Sequence, residues 1–264
     1  MAEEVNNTIQ SLWIGDRLSR IEILSIQSFL QNGHTYHLYA YSDVDGIPEG
    51  VTVKDANAVI PEKFIFRTGG SLSIFADWFR QELLFACGGY WVDLDTVCLK
   101  PLVFEDPIVL GKFDGGKVAN GLMRFPKHHE VTRLLADISR SPNMPLSFDK
   151  RRDRRRKFIR KYLLGNRRNN VGWGEPSGPA GLTKVLRHYG LLKLAKPYYY
   201  FYPLHYSLWM CAFDDTFSDG MDFFSSSYCV HLWNEKIRKL KGGGKDGPFL
   251  PTSLIHRLMQ RYQC

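Results

Sequence analysis

Residues 71–102 read SLSIFADWFRQELLFACGGYWVDLDTVCLKPL, and the order of residue types there sets the frame for the rest of the chain. From Leu72 the apolar residues Phe75, Ala76, Phe79, Leu83 and Ala86 recur at helical spacing, so one stripe of a helix is apolar and needs a core to bury it. Gly88 and Gly89 follow, and glycine accepts the left-handed backbone on which helices commonly end. Tyr90-Trp91-Val92 then reads as a short strand that delivers Asp93 and Asp95 at its carboxyl end.

In an extended segment residues two apart point to the same side, so Asp93 and Asp95 would present their oxygens to one object while Leu94 faces the core. Neighbouring carboxylates repel each other, and a hard divalent cation is the usual reason to build such a pair. A metal held there would in turn bind the phosphates of a nucleotide. The spacing alone is weak evidence, since Asp43-Val44-Asp45 shares it; that pair runs into Gly46-Ile47-Pro48 and reads as a solvated turn. What distinguishes Asp93 and Asp95 is the apolar strand before them and the preceding helix, which carries Asp77 and Arg80 one turn apart on one face. The planar guanidinium of Arg80 suits phosphate oxygens or, equally, a fixed carboxylate partner.

The order Ser73, Asp77, Arg80, Leu84, Gly88-Gly89, Tyr90, Asp93, Asp95 resembles the DXD sugar-transferase segment of family 32 glycosyltransferases of the bacterial polysaccharide type. Its spacing is also similar to that of the clostridial glucosylating toxins. The resemblance extends from Ile9 to about Asn234. It implies a GT-A fold, a nucleotide-diphospho-sugar donor, Mn2+ or Mg2+, and retention of anomeric configuration. By the match, Asp77 and Arg80 would touch the donor sugar and its phosphates, and Asp93 and Asp95 would hold ribose and metal. Trp13 in LWIG would stack on the base, Asn120 would contact a donor or acceptor sugar, and Trp233 or Asn234 would close over the donor. His231, in the late segment CVHLWN, would complete the metal site, imidazole nitrogen being acceptable to Mn2+. Each has a plainer reading beside it: a core tryptophan for Trp13, a polar turn residue for Asn120, a structural strand histidine for His231.

Outward from this stretch, Thr8 to Ile14 reads as a first strand, Arg17 to Asn32 as a helix ended by Gly33, and Tyr36 to Tyr41 and Val51 to Val53 as further strands. That βαβ start is the pattern of a doubly wound nucleotide-binding half. Neither G-x-G-x-x-G nor G-x-x-x-x-G-K-[ST] occurs, so phosphate charge must be met by metal and arginine rather than by a glycine-rich loop. Strands are predicted at Ile108 to Gly111 and Lys117 to Phe125, the second interrupted at Ala119-Asn120-Gly121, and helices at His128 to Arg140, Ala180 to Tyr189 and Pro251 to Tyr262. The expectation is one GT-A-like α/β domain over residues 1–264, with a mixed, mostly parallel sheet between helices and a basic helical excursion at about 145–170.

Hydrophobic content of 44% and aromatic content of 14% over 264 residues suit a full core. The start MAEEVNNTIQ lacks a basic-then-apolar signal, and the most apolar run, Tyr198 to Phe213, is too short to span a bilayer. Five cysteines, Cys87, Cys98, Cys211, Cys229 and Cys264, form no C-x-x-C pair; they point to a reducing cytoplasm, the first four as buried small apolar residues. The net charge of +8 is concentrated: Lys150 to Arg168 holds eleven Lys/Arg against Asp153, leaving a near-neutral body. Phe158, Ile159, Tyr162 and Leu163 fall at helical spacing within it, so it reads either as a solvated charged excursion or as a surface for anionic lipid or a lipid-pyrophosphate-linked acceptor. Nucleic acid is disfavoured, since no stacking aromatics interleave the arginines. Glu175, in the loop NVGWGEPSGP, is an acceptor-contact or rim carboxylate, and Lys236 to Lys245 supplies a glycine hinge.

The activity expected from all of this is metal-dependent, retaining transfer of a hexose from a UDP-sugar to a glycan or lipid-linked saccharide in surface polysaccharide synthesis. Toxin-like glycosylation of a protein, and a non-catalytic sugar- or membrane-binding module, are the alternatives.

Overall fold

A break in periodicity separates each helix from its strand. The computed structural model describes residues 6–172, 174–237 and 244–264. In chain order it contains β1 (Ile9–Trp13), α1 (Arg20–Gln31), β2 (Tyr36–Ala40), β3 (Val51–Asp55), α2 (Ser73–Cys87), β4 (Gly89–Val92), β5 (Thr96–Cys98), β6 (Val109–Lys112) and β7 (Val118–Phe125). These are followed by α3 (Glu130–Arg140), α4 (Arg151–Phe158), α5 (Pro179–His188), β8 (Cys229–His231), α6 (Asn234–Ile237) and α7 (Leu254–Arg261). Between α2 and β4 the chain turns on Gly88 at φ +65°, where a Cβ would stand 2.6 Å from the Lys127 backbone nitrogen. Both the left-handed backbone and the close approach require glycine there. Gln10 Nε2 donates to the Gly88 carbonyl at 2.7 Å and ties the turn to β1.

Six strands form one sheet in the order β3-β2-β1-β4-β7-β6. β1, β2, β3 and β4 pair in parallel, and β7 runs antiparallel to both β4 and β6, so the sheet is mixed and mostly parallel, as a GT-A-like fold requires. Alternation along β4 divides the core. Trp91 packs with Phe79 and Leu83 of α2, Leu135 of α3 and Leu182 of α5 on one face. Tyr90 and Val92 pack with Ile26 and Phe29 of α1 on the other. Beyond α1 lies a further apolar layer, in which Ile21 and Leu24 meet Val97, Val230 and Leu258. There β5 and β8 form a two-stranded antiparallel ribbon that pairs Thr96 with His231.

Several sequence expectations are corrected. The first helix starts at Arg20, not Arg17, because the Ser19 backbone N–H is capped by Glu22 Oε2 at 2.9 Å while Arg17 bridges to Asp45. The third begins at Glu130 rather than His128: His129 Nδ1 accepts from the Val131 N–H, and His128 holds φ +60°. β7 is continuous through Ala119-Asn120-Gly121; the irregularity lies in its pairing with β6, whose register shifts between Leu110 and Gly111. Cys98 and Cys229 are buried, but Cys87 is exposed and Cys211 only half-buried. Asp43 and Asp45 stay in an exposed turn. Most of the glycine hinge, residues 238–243, lies outside the described residues. No helix among the described residues is long and apolar enough to cross a membrane.

Candidate metal centre

β4 ends at Val92 because the chain folds back at once: the Thr96 N–H donates to the Asp93 carbonyl at 3.0 Å, and the Asp93 N–H to the Gly121 carbonyl at 2.7 Å. Asp93-Leu94-Asp95 is therefore a turn, not an extension of the strand. Leu94 is buried as expected, but the two carboxylates converge through the turn and not through strand alternation. The β5–β8 ribbon brings His231 against them. Its Nε2 lies 3.3 Å from Asp95 Oδ1 and 4.0 Å from Asp93 Oδ2, and one ligand atom from each of the three residues falls within 4.8 Å of the others. The Asp93 side chain is 30% exposed while those of Asp95 and His231 are 8% and 9%, so the cluster opens to one side.

A second, largely buried network stands behind it. Arg80, on α2, donates Nη2 to Asp93 Oδ1 at 3.0 Å and Nη1 to the Asn120 carbonyl, and lies 3.5 Å from Asp77 Oδ1. Asn120 Nδ2 in turn donates to Asp77 Oδ1 at 2.7 Å. The guanidinium covers the Trp91 ring at 4.9 Å, and Trp91 Nε1 donates to Asp93 Oδ1 at 2.8 Å. Thus Asp77, Arg80, Asn120, Asp93, Asp95 and His231 form one connected group. On its other flank the Trp233 ring lies 4.4 Å from the His231 ring. The strand does not extend to Trp233; it ends at His231, and Trp233 reaches this position on a left-handed backbone, φ +59°. The Asn234 N–H donates to Asp95 Oδ2 at 2.6 Å.

The charges are unequal by construction. Burial, helped by Asp93, pushes the Asp77 carboxyl up to about 6 against the pull of Arg80. Burial would raise Asp93 as well, but Arg80 and His231 hold it below the ordinary carboxylate range. Asp95 is raised by burial and by Asp93. Burial disfavours the His231 imidazolium, yet Asp95 and Asp93 together hold its pKa above the ordinary value.

Trp13, at the end of β1, has a buried Nε1 with no partner among the described residues, and Lys245 Nζ covers its ring at 5.4 Å. Among the described residues no hydrogen bond or ring contact joins it to Asp93, Asp95 or His231. Glu175 is committed elsewhere, paired to Arg156 at 2.7 Å and Arg160 at 2.9 Å. Sequence reasoning missed two glycines. A Cβ on Gly121 would stand 3.0 Å from Asp93 Oδ2 and 3.1 Å from His231 Nε2, and one on Gly178 would stand 2.8 Å from Asp77 Oδ2. No local signal marks them, since what they make room for lies far away in the chain. Trp91 was also missed, though it sits two residues before Asp93 and the alternation rule reaches it.

Residues 156–248 match the family model described as "Alpha 1,4-glycosyltransferase conserved region", and the protein is a glycosyltransferase. The matched segment holds Gly178, His231 and Trp233 but begins after the Asp93/Asp95 turn. Among solved structures the chain is similar to the PaToxG glycosyltransferase, at 15% identity over 70% of each chain with a TM-score of 0.48. It is also similar to the WbbM bifunctional glycosyltransferase in its apo form, at 9% identity over 100% of this chain and 53% of that one, with a TM-score of 0.33. No curated protein matches the chain.

Proposed function

We propose that this protein moves a hexose from a nucleotide-diphospho-sugar, UDP-sugar by preference, to a hydroxyl of a glycan or lipid-linked saccharide, as one step in building a surface polysaccharide. The observation that carries the reading is the convergence of Asp93, Asp95 and His231 beside the buried Asp77–Arg80–Asn120 network. Two carboxylate oxygens and one imidazole nitrogen suit a hard or borderline divalent cation, Mn2+ more readily than Mg2+ because of the nitrogen. Bound there, the ion would supply Lewis-acid neutralisation of the charge that grows on the departing diphosphate.

The chain's own groups divide the remaining work. Arg80 keeps Asp93 ionised and adds a fixed positive charge on the diphosphate side. Asp77, with a pKa of about 6, is ionised at neutral pH; held by Asn120, it orients sugar hydroxyls and faces the positive charge that develops at the anomeric carbon. Trp13 offers a ring for the base and Trp233 a wall over the sugar that excludes water. Retention follows from the α-linkage in the description of the matched region, given an α-linked donor. No side chain stands out as a covalent nucleophile, so the acceptor attacks from the face the diphosphate leaves. Residues 1–264 act as one domain in this reading, and the five free cysteines suit a reducing cytoplasm.

The test is hydrolysis of a panel of UDP- and GDP-sugars with Mn2+ or with chelator, alongside Asp93→Ala and Asp95→Ala. Chelator-sensitive turnover of one donor, abolished by both substitutions, supports the proposal and names the sugar. Turnover that ignores chelator and both substitutions sinks it.

A further inference from the structure

The basic segment is built inside out. A helix on a protein surface normally turns apolar side chains to the core and charges to water; α4 and the π-helical turn after it, Ile159–Leu163, do the reverse. Their inward side is ionic. Lys157 Nζ lies 2.9 Å from Asp149, Arg156 and Arg160 clasp Glu175, and Asp153 meets Lys184 Nζ at 2.8 Å. The outward side carries Phe158, Tyr162, Leu163 and Leu164, exposed at 59%, 62%, 71% and 48%, with the Phe158 and Tyr162 rings 4.8 Å apart.

Around this apolar group stand Arg151, Arg152, Arg155, Lys161 and Arg167, all exposed. None of their side chains has a hydrogen bond or ion pair among the described residues; Lys161 covers the Tyr162 ring at 5.3 Å. Positions 151, 155, 158 and 162 share a face by helical spacing. Asp153, the one acid between Lys150 and Arg168, is turned inward and bonded to Lys184. The outer face therefore carries positive charge without compensation, wrapped around aromatic and aliphatic side chains.

We propose that this face docks on an anionic lipid bilayer. A bilayer interface is apolar beneath and negatively charged at its surface, which is the complement of this arrangement. Phe158, Leu163 and Leu164 would enter the acyl boundary, Tyr162 would sit at headgroup level, and the arginines and lysine would reach back to the phosphates. Single-stranded nucleic acid would use the charges and the rings but leaves Leu163 and Leu164 without a role. The same element reaches the site, because Glu175, held by Arg156 and Arg160, lies in the loop whose Gly178 abuts Asp77. Docking would thus set the acid cluster near the membrane surface.

The experiment is co-sedimentation of the full chain with vesicles of phosphatidylcholine alone and of phosphatidylcholine with phosphatidylglycerol. Two variants accompany it, Phe158→Ser with Leu163→Ser, and Arg151→Gln with Arg155→Gln and Lys161→Gln. Binding to the anionic vesicles alone, weakened at least about tenfold in each variant, is expected. Mn2+-dependent donor hydrolysis and the melting temperature should not change, so failure of docking is read separately from failure of the transferase proposal. Absence of binding, equal binding to both vesicles, or binding that survives the Phe158/Leu163 change overturns the proposal. So does retention of a single-stranded oligonucleotide in place of the vesicles.

Discussion

The imidazole Nε2 of His231 stands 3.3 Å from Asp95 Oδ1 because β8 pairs antiparallel with β5 and sets His231 opposite Thr96. The two groups stabilise each other's charged forms, and a cation bound there would compete with the proton on the imidazole. His231 has a folded pKa above its ordinary 6.5, so the stability it contributes without metal is fully present below that value and is lost as pH rises through the folded pKa. The ion-free protein should therefore melt at lower temperature as pH rises through this window, while Mn2+ affinity rises as the proton leaves. His231→Ala should flatten both trends. Thermal melts and Mn2+ titration calorimetry across the same pH range check this.

Asp77 gives a signature of the same sign in a more acidic window. Its carboxyl is raised from 3.8 to about 6 by burial, so the folded state binds the proton more tightly, and its contribution to stability falls as pH climbs from about 4 to about 6. The charged form costs the fold on the order of 3 kcal/mol at neutral pH. Asp77→Asn keeps an acceptor for Asn120 and removes that cost. At pH 7 it should melt no lower than the parent protein while donor turnover drops about 100-fold or more. A fall in both together would assign Asp77 to structure.

Gly121 has no side chain because Asp93 and His231 occupy the space one would need. Gly121→Ala would press the two ligands apart by a few tenths of an ångström. A roughly tenfold loss of Mn2+ affinity is expected, with stability changed by about 1 kcal/mol or less; calorimetry with and without metal separates the two effects.

The buried Nε1 of Trp13 lacks a partner among the described residues, and its ring already accepts Lys245 as a cation. If the ring also receives the base, UDP should quench its fluorescence. Trp13→Ala should then weaken UDP binding about tenfold, the order of one aromatic stack, and Trp13→Phe should restore most of it. Unchanged UDP affinity with a lowered melting temperature would identify a core tryptophan instead.

Residues 73–92 were legible in the sequence because the relations that fix their helix, stop and strand are local. Asp77 and Arg80 are one helical turn apart, Gly88 must carry the stop, and a strand of four residues places the acids directly after the sheet. The strands β1 to β3 were legible for the same reason, to within two residues at their ends. The turn at Asp93-Leu94-Asp95 was not, since alternation describes a strand that continues and this one stops at Val92.

The sequence by itself determined the α/β class, the acid pair, the Asp77/Arg80 face and the crowding of positive charge between Lys150 and Arg168. Periodicity states which side chains share a face. It does not state which element that face will meet. Only the tertiary structure put Asn120 on Asp77, His231 between two carboxylates, Gly178 against Asp77 and the basic helix with its ion pairs inward and its apolar side chains outward. Each of these depends on pairings between distant segments, whose closure is fixed by packing of the whole core and by no local propensity.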